Sequence, residues 1–246
     1  IIQRYLFLYG CWEPNLSRWL SARLRADDVL IDVGANIGYF SLLAATRVGP
    51  NGRVVAIEAS PSIYERLSEN IQLNGDRNIR AVHAAAADTR GRLRLFRAPA
   101  FNLGASSIYA DVGYEDEGEV DAYPLHQLLT TDEIRRARIV KVDVEGAETG
   151  VIDGLVPMLP SCRDDVEIIV EVGGGPAGSP SANQSAAAIM AALSGQRFHA
   201  YKIVNDYRPA AYVRARRYSA PTRVRSANEI TEECDLIFSR RDAASL

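Results

Sequence analysis

The stretch Val29-Leu30-Ile31-Asp32-Val33-Gly34-Ala35-Asn36-Ile37-Gly38-Tyr39-Phe40 decides the fold. Its first five residues are a nearly unbroken apolar run closed by a glycine, the pattern of a strand buried on both faces. Residues 36–47 then carry Ile37, Phe40, Leu43 and Ala44 at helical spacing. After an Asn51-Gly52 turn, Val54-Val55-Ala56-Ile57-Glu58 repeats the strand. Ser60 is placed to cap a helix over 61–73, with Pro61 in its first turn. Ile79 to Ala84 is a third strand. Ile139 to Asp143 is another buried strand, Glu148 to Leu155 a helix, and Val166 to Val172 a further strand. Strands alternating with helices in this way predict an α/β fold with a doubly wound, mostly parallel sheet.

The flanking and inserted segments have other patterns. Residues 1–26 begin with the aromatic-rich Tyr5 to Tyr9, break at Gly10, and continue as an amphipathic helix through Leu16, Trp19, Leu20 and Leu24. This segment reads either as a helix packed on the main domain or as a lid with Trp12 and Glu13 facing a ligand. Arg92 to Phe96 alternates like an exposed strand, and 97–121 read as an irregular insertion. The insertion ends in the acids Asp111, Glu115, Asp116, Glu117, Glu119 and Asp121, which predict a solvated, mobile loop. Gly173 to Ser185 is rich in Gly, Pro and Ser and predicts a loop, followed by an Ala-rich helix over 186–194. Tyr201 to Val204 and Asp235 to Phe238 look like the last strands. Between them lies an Arg-rich insertion at 205–228, a solvated arm or a contact for an acidic substrate or a second subunit, which leaves a homodimer open. No boundary splits the chain, so the expectation is a cap at 1–26 and one ligand-binding domain at 27–246.

Composition narrows the function classes. The 246 residues carry 28 Lys plus Arg against 31 Asp plus Glu, a net charge of −3, with 47% hydrophobic residues. That is an ordinary globular composition, without the basic footprint of a nucleic-acid binder. No apolar run is long enough for a membrane span. Cys11, Cys162 and Cys234 are too scattered for a disulfide framework or zinc site, and a cytoplasmic setting fits best. The only lysines are Lys141 and Lys202, an Arg bias typical of GC-rich coding. The chain starts at Ile1 rather than Met, which leaves room for residues upstream.

Three constellations carry chemistry. The first is the glycine turn itself, at the carboxyl end of a strand where open α/β sheets bind ligands. A dinucleotide fingerprint requires three glycines in a G-x-G-x-x-G frame, whereas here Asn36 stands in the middle and Gly34 and Gly38 flank it. Asp32 before the turn suits a cationic ligand better than a diphosphate. S-adenosyl-L-methionine, with its sulfonium and ammonium groups and no phosphate, fits that pattern. The second is Glu58, whose carboxylate can accept from both ribose hydroxyls of an adenosine or, alternatively, simply sit well at a helix N-terminus. The third is Lys141-Val-Asp143-Val-Glu145-Gly146-Ala-Glu148, where acids cluster at the end of a central strand. Unpaired acids are costly to bury, so packing alone does not account for them.

In this order and spacing, Asp32 to Phe40, Ala56-Ile-Glu58-Ala-Ser-Pro61 and Lys141 to Glu148 resemble the FkbM family of S-adenosylmethionine-dependent methyltransferases. The resemblance runs from about residue 5 to 172 and includes Tyr9-Gly10 and Trp12-Glu13-Pro14. It implies a class I methyltransferase (Rossmann-like) fold, a seven-stranded sheet with an antiparallel last strand. It also implies O-methylation of a hydroxyl on a secondary metabolite, sugar or related small molecule. By position, Asp32, Gly34, Asn36 and Gly38 form its cofactor loop, Glu58 holds the ribose, and Asp88 follows the strand that contacts adenine. Asn102-Leu-Gly104-Ala-Ser106-Ser107 resembles a loop near the site.

An alcohol acceptor needs its proton removed as the methyl is transferred. Asp143 is the first candidate base and also a cofactor neighbour, with Glu145 and Glu171 next. Trp12, Glu13 and Glu148 are candidate substrate contacts. His83 sits in a strand and reads as a core or edge residue, whereas His126 and His199 lie in less regular segments and stay minor candidates for catalysis. The acids also suit Mg²⁺, which would acidify the hydroxyl and relieve a side-chain base. Two other readings compete: a nicotinamide-dependent oxidoreductase and a non-catalytic module binding an adenosyl ligand. Asn36 and the lack of a Tyr-x-x-x-Lys pair count against the first; the acid cluster counts against the second.

Overall fold

The computed structural model describes residues 2–75, 78–98, 106–111, 113–173, 178–213 and 219–246. Its strands are β1 (Val29–Val33), β2 (Arg53–Glu58), β3 (Ile79–His83), β4 (Ala85–Ala87), β5 (Gly91–Arg97) and β6 (Ser106–Ser107). They continue as β7 (Glu115–Pro124), β8 (Ala137–Val142), β9 (Glu167–Val172), β10 (His199–Ile203), β11 (Thr222–Val224) and β12 (Cys234–Ser239). The helices are α1 (Ile2–Tyr9), α2 (Pro14–Arg23), α3 (Tyr39–Val48), α4 (Pro61–Asn74) and α5 (Leu125–Leu128). After them come α6 (Thr131–Arg136), α7 (Glu148–Leu155), α8 (Ala182–Ser194) and α9 (Pro209–Val213).

The main sheet has eight strands in the order β11-β10-β12-β9-β8-β1-β2-β3. β1 pairs in parallel with β2 and β8, β2 with β3, and β8 with β9. β12, the last strand in the chain, inserts antiparallel between β9 and β10. The class I arrangement is therefore present, extended by the short edge strand β11, antiparallel to β10. All five residues of β1 are buried, because helices cover both faces. Leu30, Val54, Ile139 and Ile169 face the layer holding Trp19, Leu20 and Phe40. Val29, Ile31, Val33 and Val140 face the layer holding Val151, Ile152 and Ile189. The two-residue period of each strand sorts these side chains between the two cores.

Parts of the chain differ from the sequence expectation. The acidic stretch is a strand from Glu115 onward, not a loop: β7 pairs antiparallel with β5 in a second, four-stranded sheet. Its acids meet arginines on β5, with Arg92 to Glu119 at 3.2 Å, Arg94 to Asp116, and Arg97 to Glu115. Cross-strand charge pairs of this kind specify a neighbour even when each adds little stability. An acidic run read without its arginine partners looks merely solvated. Residues 99–105, with most of the Asn102 motif, lie outside the described residues. So do Arg214, Arg216 and Arg217 of the Arg-rich insertion. Among the described residues of that insertion, Arg208 pairs with Asp206 and Arg223 with Asp242, rather than with the acidic strand. Helix α8 starts at Ala182, earlier than expected, because Ser181 and Gln184 form a reciprocal capping box.

The N-terminal segment folds as two helices, α1 and α2. α1 stops at Gly10, which is left-handed at φ 73°, and α2 starts on Pro14. α2 buries Leu16, Trp19 and Leu20 against the sheet. No helix among the described residues is long and apolar enough to cross a membrane. Trp19, only 1% exposed, anchors this cap. Trp19→Ala is expected to cost about 3–5 kcal/mol in urea unfolding. Leu73→Ala, at a site 83% exposed, should stay within about 0.5 kcal/mol.

Candidate active site

The carboxyl ends of β1, β2, β8 and β9 open on a cavity of about 490 Å³. Gly34 lines it at the turn after β1, with φ 77°. A Cβ at Gly34 would stand 1.7 Å from the carbonyl oxygen of Asp143, so only glycine lets this turn pass the end of β8. Asn36 follows in a left-handed conformation at φ 54°, and its side-chain oxygen accepts from the Ile37 amide at 2.7 Å. The Asn36 amide in turn donates to Glu58 Oε2 at 2.9 Å. The Ser60 amide donates to Glu58 Oε1, also at 2.9 Å. Glu58 is thus fixed at the end of β2 by backbone amides that donate to its carboxylate. Burial pushes its pKa up to about 7, against the lowering effect of these amides. Beyond Glu58 the wall is apolar: Ile57, Ala84, Ala85 and Ala86, with Leu93 and Leu95 from the second sheet.

The acid cluster forms the opposite side. Asp143 Oδ2 meets the Lys141 ammonium at 2.7 Å. Burial works against its ionisation, but Lys141 and a hydrogen bond with Glu171 outweigh that and hold it below its ordinary value. Glu171 lies beside it on β9, and burial together with the Asp143 charge raises its pKa well above normal. Glu145 occupies a left-handed position at φ 53°, its carbonyl accepting from Ser107 Oγ at 2.7 Å. Burial, then the charges of Asp143 and Glu148, push Glu145 up to about 8. Asp143, Glu145 and Glu171 each present one oxygen within 4.8 Å of the others, close enough to hold a metal ion.

The N-terminal segment contributes to the cavity wall. Trp12 and Glu13 line the cavity, as does Tyr207 from the segment after β10. Tyr207 donates to Glu13 Oε1 at 2.8 Å, and Tyr5 donates to the Tyr207 carbonyl at 2.6 Å. Asn15 donates to the Val204 carbonyl at 2.8 Å. The Trp12 ring lies 5.2 Å from Tyr207 and 5.4 Å from Tyr5. Two segments far apart in sequence are thereby tied together at the cavity wall.

Of the sequence candidates, Trp12, Glu13, Gly34, Asn36, Glu58, Asp143, Glu145 and Glu171 line the cavity together. Four do not. Asp32 is 1% exposed beneath the turn, where it accepts from Ser41 at 2.6 Å and faces Lys141. Gly38 caps α3 at φ 91° and packs on Leu67. Glu148 is buried and accepts from the Gly146 amide at 2.8 Å, locking the turn after β8. Asp88 is exposed beside Thr89, because β4 carries the chain away from the cavity before it is reached. None of the histidines lines the cavity; His83, for one, stacks on Tyr64 at 4.8 Å. Tyr207 and Glu233 were not singled out in the sequence, since no local pattern marks either; Lys141 was legible only as part of its motif.

Because Glu145 keeps its proton to about 8 in the folded chain and to 4.5 ordinarily, the unfolded state binds fewer protons in that window. Its contribution to stability therefore falls as pH rises from 4.5 to 8. Glu145→Gln should flatten that fall, read as a smaller drop in thermal midpoint across the same window.

A family model described as methyltransferase FkbM domain matches residues 32–203. That match starts later than the sequence resemblance and continues past residue 172. The hexuronic acid methyltransferase AglP of Haloferax volcanii is 28% identical over 163 residues, 66% of this chain and 63% of that protein. Methyltransferase 1 of Beauveria bassiana is 27% identical over 173 residues, 63% of this chain and 66% of its own. The chain thus spans slightly under two thirds of the length of these relatives. The fibrillarin of Aeropyrum pernix, solved with bound S-adenosyl-L-methionine, shares the fold at a TM-score of 0.51. It is 11% identical, and the likeness covers 92% of this chain and 76% of that one.

Proposed function

The chain belongs to the methyltransferase FkbM domain family, and we propose on that footing that it methylates a hydroxyl of a small molecule, a sugar or secondary metabolite, using S-adenosyl-L-methionine. The observation that carries this reading is the link between Asn36 and Glu58. It holds a carboxylate at the end of β2, the hydrogen-bond acceptor that ribose hydroxyls require. The alanine wall beside it suits an adenine ring, and the acids across the cavity suit a sulfonium and an ammonium. Asp32 supports the turn from below rather than touching the cofactor. When bound, the cofactor supplies a methyl group activated by a positive sulfur. Family membership speaks against the nicotinamide-dependent alternative, and the acid cluster against a module that only binds.

In this reading the residues of the chain divide the work. Glu58 and the turn at 34–36 hold the nucleoside end. Trp12, Glu13 and Tyr207 exclude water from the mouth and orient the acceptor. Asp143, kept ionised by Lys141, takes the hydroxyl proton as attack proceeds. Glu145, pushed up to about 8, keeps its proton at neutral pH and can pass it onward, beside Glu171, whose pKa burial and the Asp143 charge raise. The cap at residues 1–26 acts as the lid of the single domain 27–246.

A second reading has the oxygens of Asp143, Glu145 and Glu171 favouring Mg²⁺, which would acidify the hydroxyl in place of a base. The Haloferax relative's name specifies a hexuronic acid, and a sugar hydroxyl is the corresponding expectation here.

Glu58→Ala should weaken S-adenosylhomocysteine binding at least tenfold in calorimetry; unchanged affinity would remove the ribose assignment. Asp143→Asn should bind that product normally yet lose roughly 10²–10⁴-fold in turnover of an accepted hydroxyl. Full turnover in the presence of a chelator supports the side-chain base. Activity lost to the chelator and restored by Mg²⁺ supports the metal.

A further inference from the structure

We infer that Ser107 is a positioning residue for the cofactor: its hydrogen bond to the backbone of Glu145 holds the segment 107–109 as the wall that retains S-adenosyl-L-methionine in the cavity. The inference rests on the methyl-transfer reading above and adds a residue to its binding machinery. Ser107 is 1% exposed at the end of β6, where it pairs with Phe96 of β5. It belongs to the second sheet, yet its side chain reaches the turn after β8 of the main sheet. Its Oγ donates to the Glu145 carbonyl at 2.7 Å and accepts from the Tyr109 amide at 3.1 Å. A hydroxyl has a single proton to give. With the Tyr109 N–H aimed at its lone pair, that proton is directed at Glu145.

The backbone that receives this bond is one that has to be held. Glu145 is left-handed at φ 53°, a conformation that a residue other than glycine keeps only where its surroundings impose it. The next residue, Gly146, is in contact with the same segment: a Cβ there would stand 3.2 Å from the Tyr109 ring. Ser107 thus fixes the carbonyl of the turn while the Tyr109 ring packs on the residue after it. The turn in question carries the Glu145 side chain that lines the cavity.

Ile108 lies between these two contacts and itself lines the cavity. It packs against the small core of Ala85, Leu95, Val120 and Ala122. Consecutive residues therefore join the apolar end of the cavity to its acidic end. With the nucleoside at Glu58 and the sulfonium toward the acids, this wall flanks both parts of the cofactor. Removing the Ser107 hydroxyl takes a partner from the Glu145 carbonyl and from the Tyr109 amide, both in a buried setting. Ile108 is then free to draw back. The cofactor leaves faster, whereas its entry, which does not depend on a tight wall, changes little.

Release of S-adenosylhomocysteine from the full chain, followed by surface plasmon resonance, tests this. Ser107→Ala should release the ligand about tenfold faster, with an association rate within about twofold of the unchanged chain. Ile108→Ala should accelerate release as well. The double variant should release no faster than the faster single variant, because both changes open the same wall. A chain that is merely destabilised would bind fewer ligand molecules at an unchanged dissociation rate. Ile108→Ala leaves the hydrogen bond intact and keeps the test decisive if Ser107→Ala does not fold. An unchanged dissociation rate in either folded single variant, or additive effects in the double variant, would overturn the inference. Binding by the unchanged chain, measured first, separates the two levels. Its failure sinks the methyl-transfer reading and this inference together, whereas binding with an unchanged dissociation rate in Ser107→Ala sinks this inference alone.

Discussion

Lys141 is the cation on which the centre of this structure depends. It sits on β8 opposite Asp32 of β1 in the strand register, 2% exposed, with its ammonium 5.0 Å from the Phe40 ring centre. Burial disfavours its charge, yet Asp143, Asp32 and Glu13 more than restore it and raise its pKa. Those carboxylates come from three different segments: the end of β8, the end of β1 and the N-terminal cap. One buried charge therefore binds the glycine turn, the candidate base and the lid into a single electrostatic unit. An ion of this kind contributes little net stability, since its desolvation offsets its attractions, but removing it would strand several carboxylates. Its position holds the Asp143 pKa down, whereas burial and the Asp143 charge raise those of Glu145 and Glu171.

Around that centre, backbone geometry and charge do separate jobs. Gly34 is required by the carbonyl of Asp143, so the glycine turn after β1 and the residue that follows β8 are in contact through main chain. Glu58 is tied to the same turn by the Asn36 amide. The cap adds the last wall through Glu13 and Tyr207. The second sheet supplies Leu93 and Leu95 to the apolar end and is stitched by arginine–carboxylate pairs on its exposed face. The cavity is thus apolar at one end and acidic at the other, a polarity that a ligand with an adenine and a sulfonium also has.

Much of this was legible in sequence. The buried strands β1, β2, β8 and β9 announced themselves as apolar runs, and the helices between them by period and caps. Gly34, Asn36, Glu58 and Asp143 stood at strand ends, where the fold itself brings them together. The acidic stretch was misread because its arginine partners lie on another strand, and only pairing reveals them. Asp88 was misplaced because a three-residue strand after β3 redirects the chain. Tyr207 was invisible because its role exists only through contact with Glu13.

The sequence by itself determined the sheet, its order of strands and helices, and the acids at its carboxyl edge, because those follow from local periodicity and from motifs a few residues long. Only the tertiary structure decided which acids face the cavity, which of them are ionised and which side chains complete its wall. Those properties depend on burial and on charges brought within a few ångströms from residues far apart in the chain. Asp32, Glu148 and Asp143 look alike in the sequence. Packing makes the first a support, the second a lock on a turn, and the third the ionised carboxylate of the cavity.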